Sequence, residues 1–308
     1  MLKNICLSLS TLCQANCVYC PQNRGANLKV KNMPIKLVKK ICDEAAHLNI
    51  KWMQLSENGD ALMNPNFIKI LRLLKEKLPG AKKMLYTNFS LLHKNKAEII
   101  LREELIDAIS CSIDSVDKDT FNKINDLNFE NVMKNLKDFI SSRDELHSPV
   151  GVLVRALTLY SYVHSIKDGL GFYPSNTPQA IPLHDEDVDI KVEMEKFLDL
   201  NKDGITNSFI FGWNERWRFA NLKGYTTLVI CPMLARNETD AFIAPDGSWY
   251  SCCLDHKCEI VFGNVNKESL HSIFNSRKRL DFLDKLRNQK YFEIGGACKT
   301  VICCLNVR

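Results

Sequence analysis

Over its first half the chain alternates compact apolar runs with stretches of helical period, and that alternation restricts the fold more than any other feature. Residues 4–9, Trp52–Leu55, Met84–Asn88, Ala108–Asp114 and Val150–Leu157 are β-type runs. Between them lie Ile35, Leu37, Val38, Ile41 and Ala45 after Met33-Pro34, then Phe67–Lys77 after Asn64-Pro65, Lys96–Leu105 and Phe129–Ile140. Proline suits a first helical turn, where its missing N–H would be unpaired anyway, and Asn64 is expected to cap the second helix. Strand and helix in regular succession give parallel βα units with right-handed crossovers. Ile205–Phe211 supplies a sixth strand. The expected architecture is α/β, a partial (β/α)6 TIM-like barrel whose mouth lies at the C-terminal ends of the strands.

The first run delivers a loop reading Cys13-Gln14-Ala15-Asn16-Cys17-Val18-Tyr19-Cys20. Three thiolates on one short loop can hold three irons of a [4Fe–4S] cube and leave the fourth without a protein ligand. Such an open iron can bind and activate a small molecule. A zinc knuckle or scattered free thiols is the other reading, but zinc usually takes four ligands in paired form and no His lies near this loop. Cys42 and Cys111 fall inside a helix and a strand and read as small buried hydrophobes.

Thirteen cysteines fit either disulfides in an oxidising compartment or metal thiolates in a reducing one. The first residues contain no apolar stretch of signal-peptide length, and no run approaches the roughly 18 apolar residues of a membrane span. An odd count gathered in patches favours iron–sulfur ligation and a cytoplasmic setting. At 308 residues and 45% hydrophobic the chain can bury a large core. Its net charge of +5 is spread among acids, so a nucleic-acid partner is not demanded. The acidic run 185–189 reads as a solvated loop, and the segment Gly212–Trp217 as a place to look for substrate contacts.

The C-x3-C-x2-C spacing with an aromatic before its last cysteine resembles the radical S-adenosylmethionine (SAM) superfamily. The resemblance implies that Cys13, Cys17 and Cys20 hold the cluster and that its open iron chelates the methionine moiety of the cofactor, beside Tyr19. Reductive cleavage then gives a 5′-deoxyadenosyl radical that abstracts hydrogen from substrate. The turn Asn58-Gly59-Asp60-Ala61 resembles the family's Gly-Gly-Glu-Pro turn, with Asp one methylene shorter than Glu and the proline lost, and Glu57 is a rival for the acid's role. By the same resemblance Asn88 lies near the methionine and ribose, Ser112 and Asp114 face the ribose, and Arg155 pairs the methionine carboxylate.

From residue 231 the composition shifts. Cys231-Pro232, a hairpin over Phe242–Cys252 turning at Pro245-Asp246-Gly247, a Gly263-Asn264-Val265 turn, the helix start Leu270-x-x-Ile273-Phe274-Asn275-Ser276 and the terminal cysteines resemble SPASM/Twitch auxiliary-cluster extensions. The division expected is a barrel over 1–220 and a small hairpin-plus-helix cluster domain over 221–308. One auxiliary [4Fe–4S] cluster is implied, held by Cys231, Cys252, Cys298 and one of Cys303 or Cys304, with Cys253 and Cys258 spare. Zinc in the same thiolates is the alternative.

The chain most resembles single-auxiliary-cluster dehydrogenases of aminocyclitol and sugar pathways. That implies oxidation of a small molecule, with reduced flavodoxin or ferredoxin as electron donor. A radical epimerase or a peptide or protein modifier of sulfatase-maturation type is the second expectation, and a non-catalytic metal–thiolate binding protein the third.

Overall fold

The computed structural model describes residues 1–17, 20, 29–158, 193–194, 196–199, 202–209, 231, 233–253 and 255–300. Six strands and their crossover helices follow the expected order. They are β1 (Asn4–Leu7), α1 (Ile35–Ala45), β2 (Trp52–Leu55), α2 (Phe67–Lys77), β3 (Lys82–Thr87), α3 (Lys94–Arg102) and β4 (Ala108–Ser112). Then come α4 (Lys118–Asn125), α5 (Phe129–Glu145), β5 (Gly151–Thr158) and β6 (Gly204–Phe209). After α6 (Leu234–Thr239) follow β7 (Asp240–Ile243), β8 (Ser248–Tyr250) and β9 (Val261–Asn264). The described chain closes with α7 (Leu270–Phe274), α8 (Arg277–Arg287), α9 (Tyr291–Ile294) and α10 (Gly296–Thr300).

The strands make one sheet in the order β6-β5-β4-β3-β2-β1-β7-β8-β9. Strands β1 to β6 are parallel, as an open α/β barrel requires. The C-terminal hairpin does not stand apart from them. Strand β7 pairs with the free edge of β1, also in parallel, with Asn4 opposite Asp240 and Leu7 opposite Ile243. Strands β8 and β9 then continue antiparallel.

Strand alternation sorts the side chains. Ile5, Leu7, Met53, Leu55, Leu85, Ile109, Val152 and Val154 join the main core with the helices, including Leu37, Ile41, Ile70 and Phe139. Cys42 and Cys111 are also in that core. The opposite face carries Cys6, Gln54, Tyr86, Ser110, Ser112 and Arg155, so the barrel interior is polar.

Three local expectations change. Asn64 lies two residues ahead of the N-cap position of α2, where its Oδ1 accepts from the Asn66 N–H (2.9 Å) at the helix entry, and its Nδ2 donates to the carbonyls of Leu9 (2.8 Å) and Met33 (3.0 Å), clasping the chain on both sides of the cysteine loop. Asn66 takes the N-cap position, without a side-chain cap bond. Pro34 stands at the N-cap of α1 rather than inside it. The segment after Asp114, assigned no helix from the sequence, forms α4, capped by Asp117 accepting from the Thr120 N–H. At the barrel's far side Arg143 of α5 lies fully buried against Asp203, whose Oδ1 also accepts from the Val152 N–H (2.9 Å).

Candidate active site in the barrel mouth and interior

The cysteine loop is anchored from three sides. The Asp60 N–H donates to Leu12 O (2.8 Å), and Gly59 lies so close that a Cβ there would stand 2.6 Å from Leu12 O and from the Thr11 carbonyl carbon. With φ of 78°, Gly59 also occupies the left-handed region that side chains disfavour. From α4, Asn125 O accepts the Asn16 N–H (3.1 Å) and Asn125 Oδ1 accepts the Cys17 thiol (3.1 Å). From β3, Asn88 Nδ2 donates to Cys13 Sγ (3.6 Å) and Asn88 Oδ1 accepts from Gln14 Nε2 (2.6 Å).

Burial is the main reason that the Cys13 thiol is pushed up to about 12, with Asp60 and Cys20 adding like charge. Cys20 is thus within electrostatic reach of Cys13, and its N–H donates to Cys17 O (3.0 Å). Tyr19 lies outside the described residues.

Asp60 is buried, which raises its carboxyl. Its Oδ1 accepts from the Leu62 N–H (2.9 Å) and its Oδ2 from Thr87 Oγ1 (2.8 Å) and the Asn88 N–H (3.4 Å). It therefore ties the β2 turn to the end of β3. Asn58 is buried, with Nδ2 3.5 Å from the Tyr250 hydroxyl of the hairpin. Asp114 is buried just past β4. The Arg155 guanidinium lies over the Tyr86 ring (5.3 Å) and 3.5 Å from Ser112 Oγ. The structure thus brings Asn88, Asp60, Gly59 and Cys13 into one network, and Ser112 and Arg155 into another on the same concave face.

The donor set fits a cube and a polar cofactor at this mouth. Four buried polar atoms there, Gln14 Oε1, Ser110 Oγ, Asn125 Nδ2 and Arg155 Nε, lack a hydrogen-bond partner among the described residues. Buried polar atoms are ordinarily satisfied, so a polar ligand on this face would find partners in these four, while Asn32, Arg143, Ser148 and Arg279 carry similar atoms elsewhere. Among the described residues no three His, Cys, Asp or Glu side chains converge to hold a single ion. The ligands of one ion crowd to within bonds of about 2.0–2.3 Å, whereas thiolates of a cube bind separate irons.

Sequence reasoning missed a polar constellation below the mouth. Strand β1 contributes Cys6, β2 Gln54 and β3 Tyr86, while α6 sends Arg236 among them. Arg236 Nη2 lies 3.1 Å from Cys6 Sγ and 3.3 Å from Gln54 Oε1, and its Nε donates to Asp240 (2.8 Å). Glu57 joins through a hydrogen bond from Gln54 Nε2 and one with Cys6. A cavity of about 440 Å³ opens here, lined by Cys6, Trp52, Gln54, Tyr86, Arg236 and Asp240 among others. The available signal was strand alternation, which puts polar side chains on every second position of β1 to β4.

Of the cysteines expected to hold an auxiliary cluster, Cys231 and Cys252 are buried and Cys298 is half-buried on α10. Cys303 and Cys304 lie outside the described residues, as do the acidic run 185–189 and Gly212–Trp217. Cys252 packs with Cys6, Phe242 and Tyr250 in a second small core, against which Cys253 and Cys258 rest. The two sets of cysteines therefore flank the barrel interior. Among the described residues no helix is long and apolar enough to cross a membrane.

Comparison with known proteins agrees with this geometry. The radical SAM superfamily model matches residues 7–152, and an iron–sulfur cluster-binding SPASM model matches residues 231–304. BtrN in complex with AdoMet and 2-DOIA has a similar fold, with TM-score 0.60 and 16% identity over 100% of this chain and 94% of that one. Streptococcus suis SuiB bound to S-adenosylmethionine gives TM-score 0.61 and 15% identity over 97% of this chain and 72% of that one. The native enzyme anSMEcpe with bound AdoMet gives 0.59 and 15%, over 96% and 88%.

A curated relative, a UPF0026 protein of Helicobacter pylori, is 24% identical over 134 residues, 42% of this chain. The match spans 43% of that relative's length. Domain matches at both ends of the sheet, on cysteine-bearing segments, leave no room for a merely thiol-rich binding protein. The chain belongs to the radical SAM superfamily, with S-adenosylmethionine and [4Fe–4S] clusters as its cofactors and a SPASM cluster-binding segment at its C-terminal side.

Proposed function

We propose that this chain is a radical SAM oxidoreductase that dehydrogenates a carbinol of a small, sugar- or aminocyclitol-like molecule. One observation carries the reading: an open cavity of about 440 Å³, lined by Cys6, Gln54, Tyr86 and Arg236 together with Trp52, Met53 and Met84, reaches into the barrel below the cysteine loop. That volume suits a single small ring, at the lower end of ordinary ligand sites. When bound, the cofactors supply hydrogen-atom abstraction at an unactivated carbon and a place for one electron.

The chain's own residues do the holding. Cys13, Cys17 and Cys20 present three thiolates, kept in place by Gly59, Asn88 and Asn125. The Asn58–Asp60 turn, Asn88, Ser112, Asp114 and Arg155 bind the SAM cofactor in this reading, Arg155 through a guanidinium matched to a carboxylate. Cys231, Cys252, Cys298 and one of Cys303 or Cys304 hold the auxiliary cluster. Functionally the chain divides into a cofactor-cleaving part, 1–220, and an auxiliary-cluster part, 221–308, in a cytoplasmic setting, with reduced flavodoxin or ferredoxin as electron donor.

A second reading, radical modification or epimerisation of a peptide or protein side chain, has one observation in its favour: SuiB bound to precursor peptide SuiA and anSMEcpe bound to Cp18Cys peptide match the fold about as well as BtrN does. Anaerobically reconstituted protein, assayed for 5′-deoxyadenosine with small carbinols and with peptides, separates the two. Carbinol-dependent deoxyadenosine with a carbonyl product supports oxidation. Peptide-dependent deoxyadenosine, or solvent deuterium retained in product, replaces it with the second reading.

A further inference from the structure

Glu57 is the interior carboxylate whose job the cofactor-binding scaffold does not explain. The other acids close to it are occupied. Asp60 is taken up by the β2 turn, and Asp240 receives Asn4 Nδ2 (2.7 Å), Arg236 Nε and Thr239 Oγ1 (2.8 Å). Glu57 follows Ser56, whose φ of 104° is rare for a residue bearing a side chain. Such strain gathers where a side chain must be aimed. Here the turn sends the carboxylate back along β2 towards Gln54 and Cys6 rather than out of the mouth.

The groups facing it come from several walls of the barrel. Cys6 stands on β1, Tyr86 on β3, Arg155 on β5 and Arg236 on α6, while Asp240 begins β7. Tyr250 closes β8, and Cys253 follows on the loop that carries Cys252. Four of the residues around it, Cys6, Gln54, Tyr86 and Arg236, also line the 440 Å³ cavity. The carboxylate therefore stands in the barrel interior, next to residues that line this cavity.

We propose that Glu57 receives the hydroxyl proton of the carbinol as it is oxidised in the barrel interior, an assignment that rests on the oxidoreductase reading above. The step balances as follows. The C–H hydrogen atom leaves for the 5′-carbon of the cleaved cofactor, giving deoxyadenosine. The O–H proton passes to a Glu57 oxygen, the one remaining electron is accepted by the auxiliary iron–sulfur cluster, and C–O becomes C=O. Burial raises the Glu57 carboxyl to about 7, against the opposing pull of Arg236 and Arg155. A base with that affinity can take up and release a proton near neutrality. Gln54 and Arg236 act as positioning residues for it.

The test has two arms. In the first, cluster-free wild type and Glu57→Gln are compared by infrared difference spectroscopy from about pH 5 to 9, the span across which such an acid titrates. A protonated-carboxyl band that titrates near neutrality and disappears in Glu57→Gln is expected. Absence of such a band, or its persistence in the variant, overturns the assignment. In the second, reconstituted enzyme is offered myo-inositol, glucosamine and 2-deoxystreptamine, and the ratio of carbonyl product to deoxyadenosine is followed against pH. Glu57→Gln is expected to lower that ratio about 100-fold and flatten its rise near neutrality, with Glu57→Asp restoring part of both. A ratio within about threefold of wild type and an unchanged pH profile sink Glu57 alone. If wild type oxidises no carbinol yet modifies peptide, the oxidoreductase reading falls and takes this proposal with it.

Discussion

Gly59 illustrates how narrowly single residues govern the cysteine loop. It cannot carry a Cβ, because the backbone of Thr11 and Leu12 occupies that volume and its φ is positive. Gly59→Ala is expected to destabilise the protein by at least about 2 kcal/mol, read as a lower denaturant midpoint, together with reduced iron retention. Glu57 makes a different prediction. The folded protein keeps a proton there up to about pH 7, whereas the unfolded chain releases it near the ordinary value of 4.5. Between those values the folded state binds more protons, so wild-type stability falls as pH rises through the window. Glu57→Gln should remove that slope and gain roughly 2 kcal/mol on wild type at pH 8, once the carboxylate's partial exposure is discounted. Urea titrations at pH 5 and 8 measure both. In the sequence, Gly59 and Asp60 were legible as parts of a functional turn. Asp60's bonds to Thr87 and Asn88 were not, since they join residues on separate strands that only folding brings together.

Elements differ in how openly the sequence declares them. The parallel strands and amphipathic helices through β5 were legible because apolar period and turn residues agree. Helix α4 was not read from the sequence; its role, latching the cysteine loop through Asn125, depends on a contact across 108 positions. The link between α5 and β6 was equally hidden. Arg143 and Asp203 are both fully buried at the side chain, and Asp203 Oδ2 also accepts from the Asp199 N–H (3.0 Å). Asp203→Ala should cost about 3–5 kcal/mol, because it leaves the buried Arg143 guanidinium only the more exposed Asp144 as a carboxylate partner and frees the Val152 N–H. The double variant Arg143→Met/Asp203→Leu should recover much of that loss. Equal destabilisation in single and double variants, by chemical denaturation, would show that the pair is not coupled.

At the scale of the whole molecule, the sequence announced two cysteine-rich regions but not their union in one sheet. The parallel pairing of β7 with β1 has no local signature, since register between distant strands is written only in which faces both must bury. Tyr250 shows the result: its buried hydroxyl meets Ser8 Oγ (3.2 Å) just past β1. If the two regions hold separate cubes, fully loaded protein should contain about eight irons per chain. Cys252→Ser should lower that to about four while leaving deoxyadenosine formation, whereas Cys13→Ser should abolish it. Retention of all the iron in Cys252→Ser would remove that residue from the auxiliary set.

The central place of β1 also bears on how the molecule is made. Asn4 bonds to Asp240, a separation of 236 positions, so β1 leaves the ribosome long before β7 and waits for it before its second edge is paired. Contacts of such long range are slow to form, and an unpaired edge invites association in the meantime. A nascent chain would thus carry its metal-binding loop beside an exposed strand until β7 has been made. Chaperone holding and early iron delivery are the two provisions by which a cell would keep that interval from ending in aggregation.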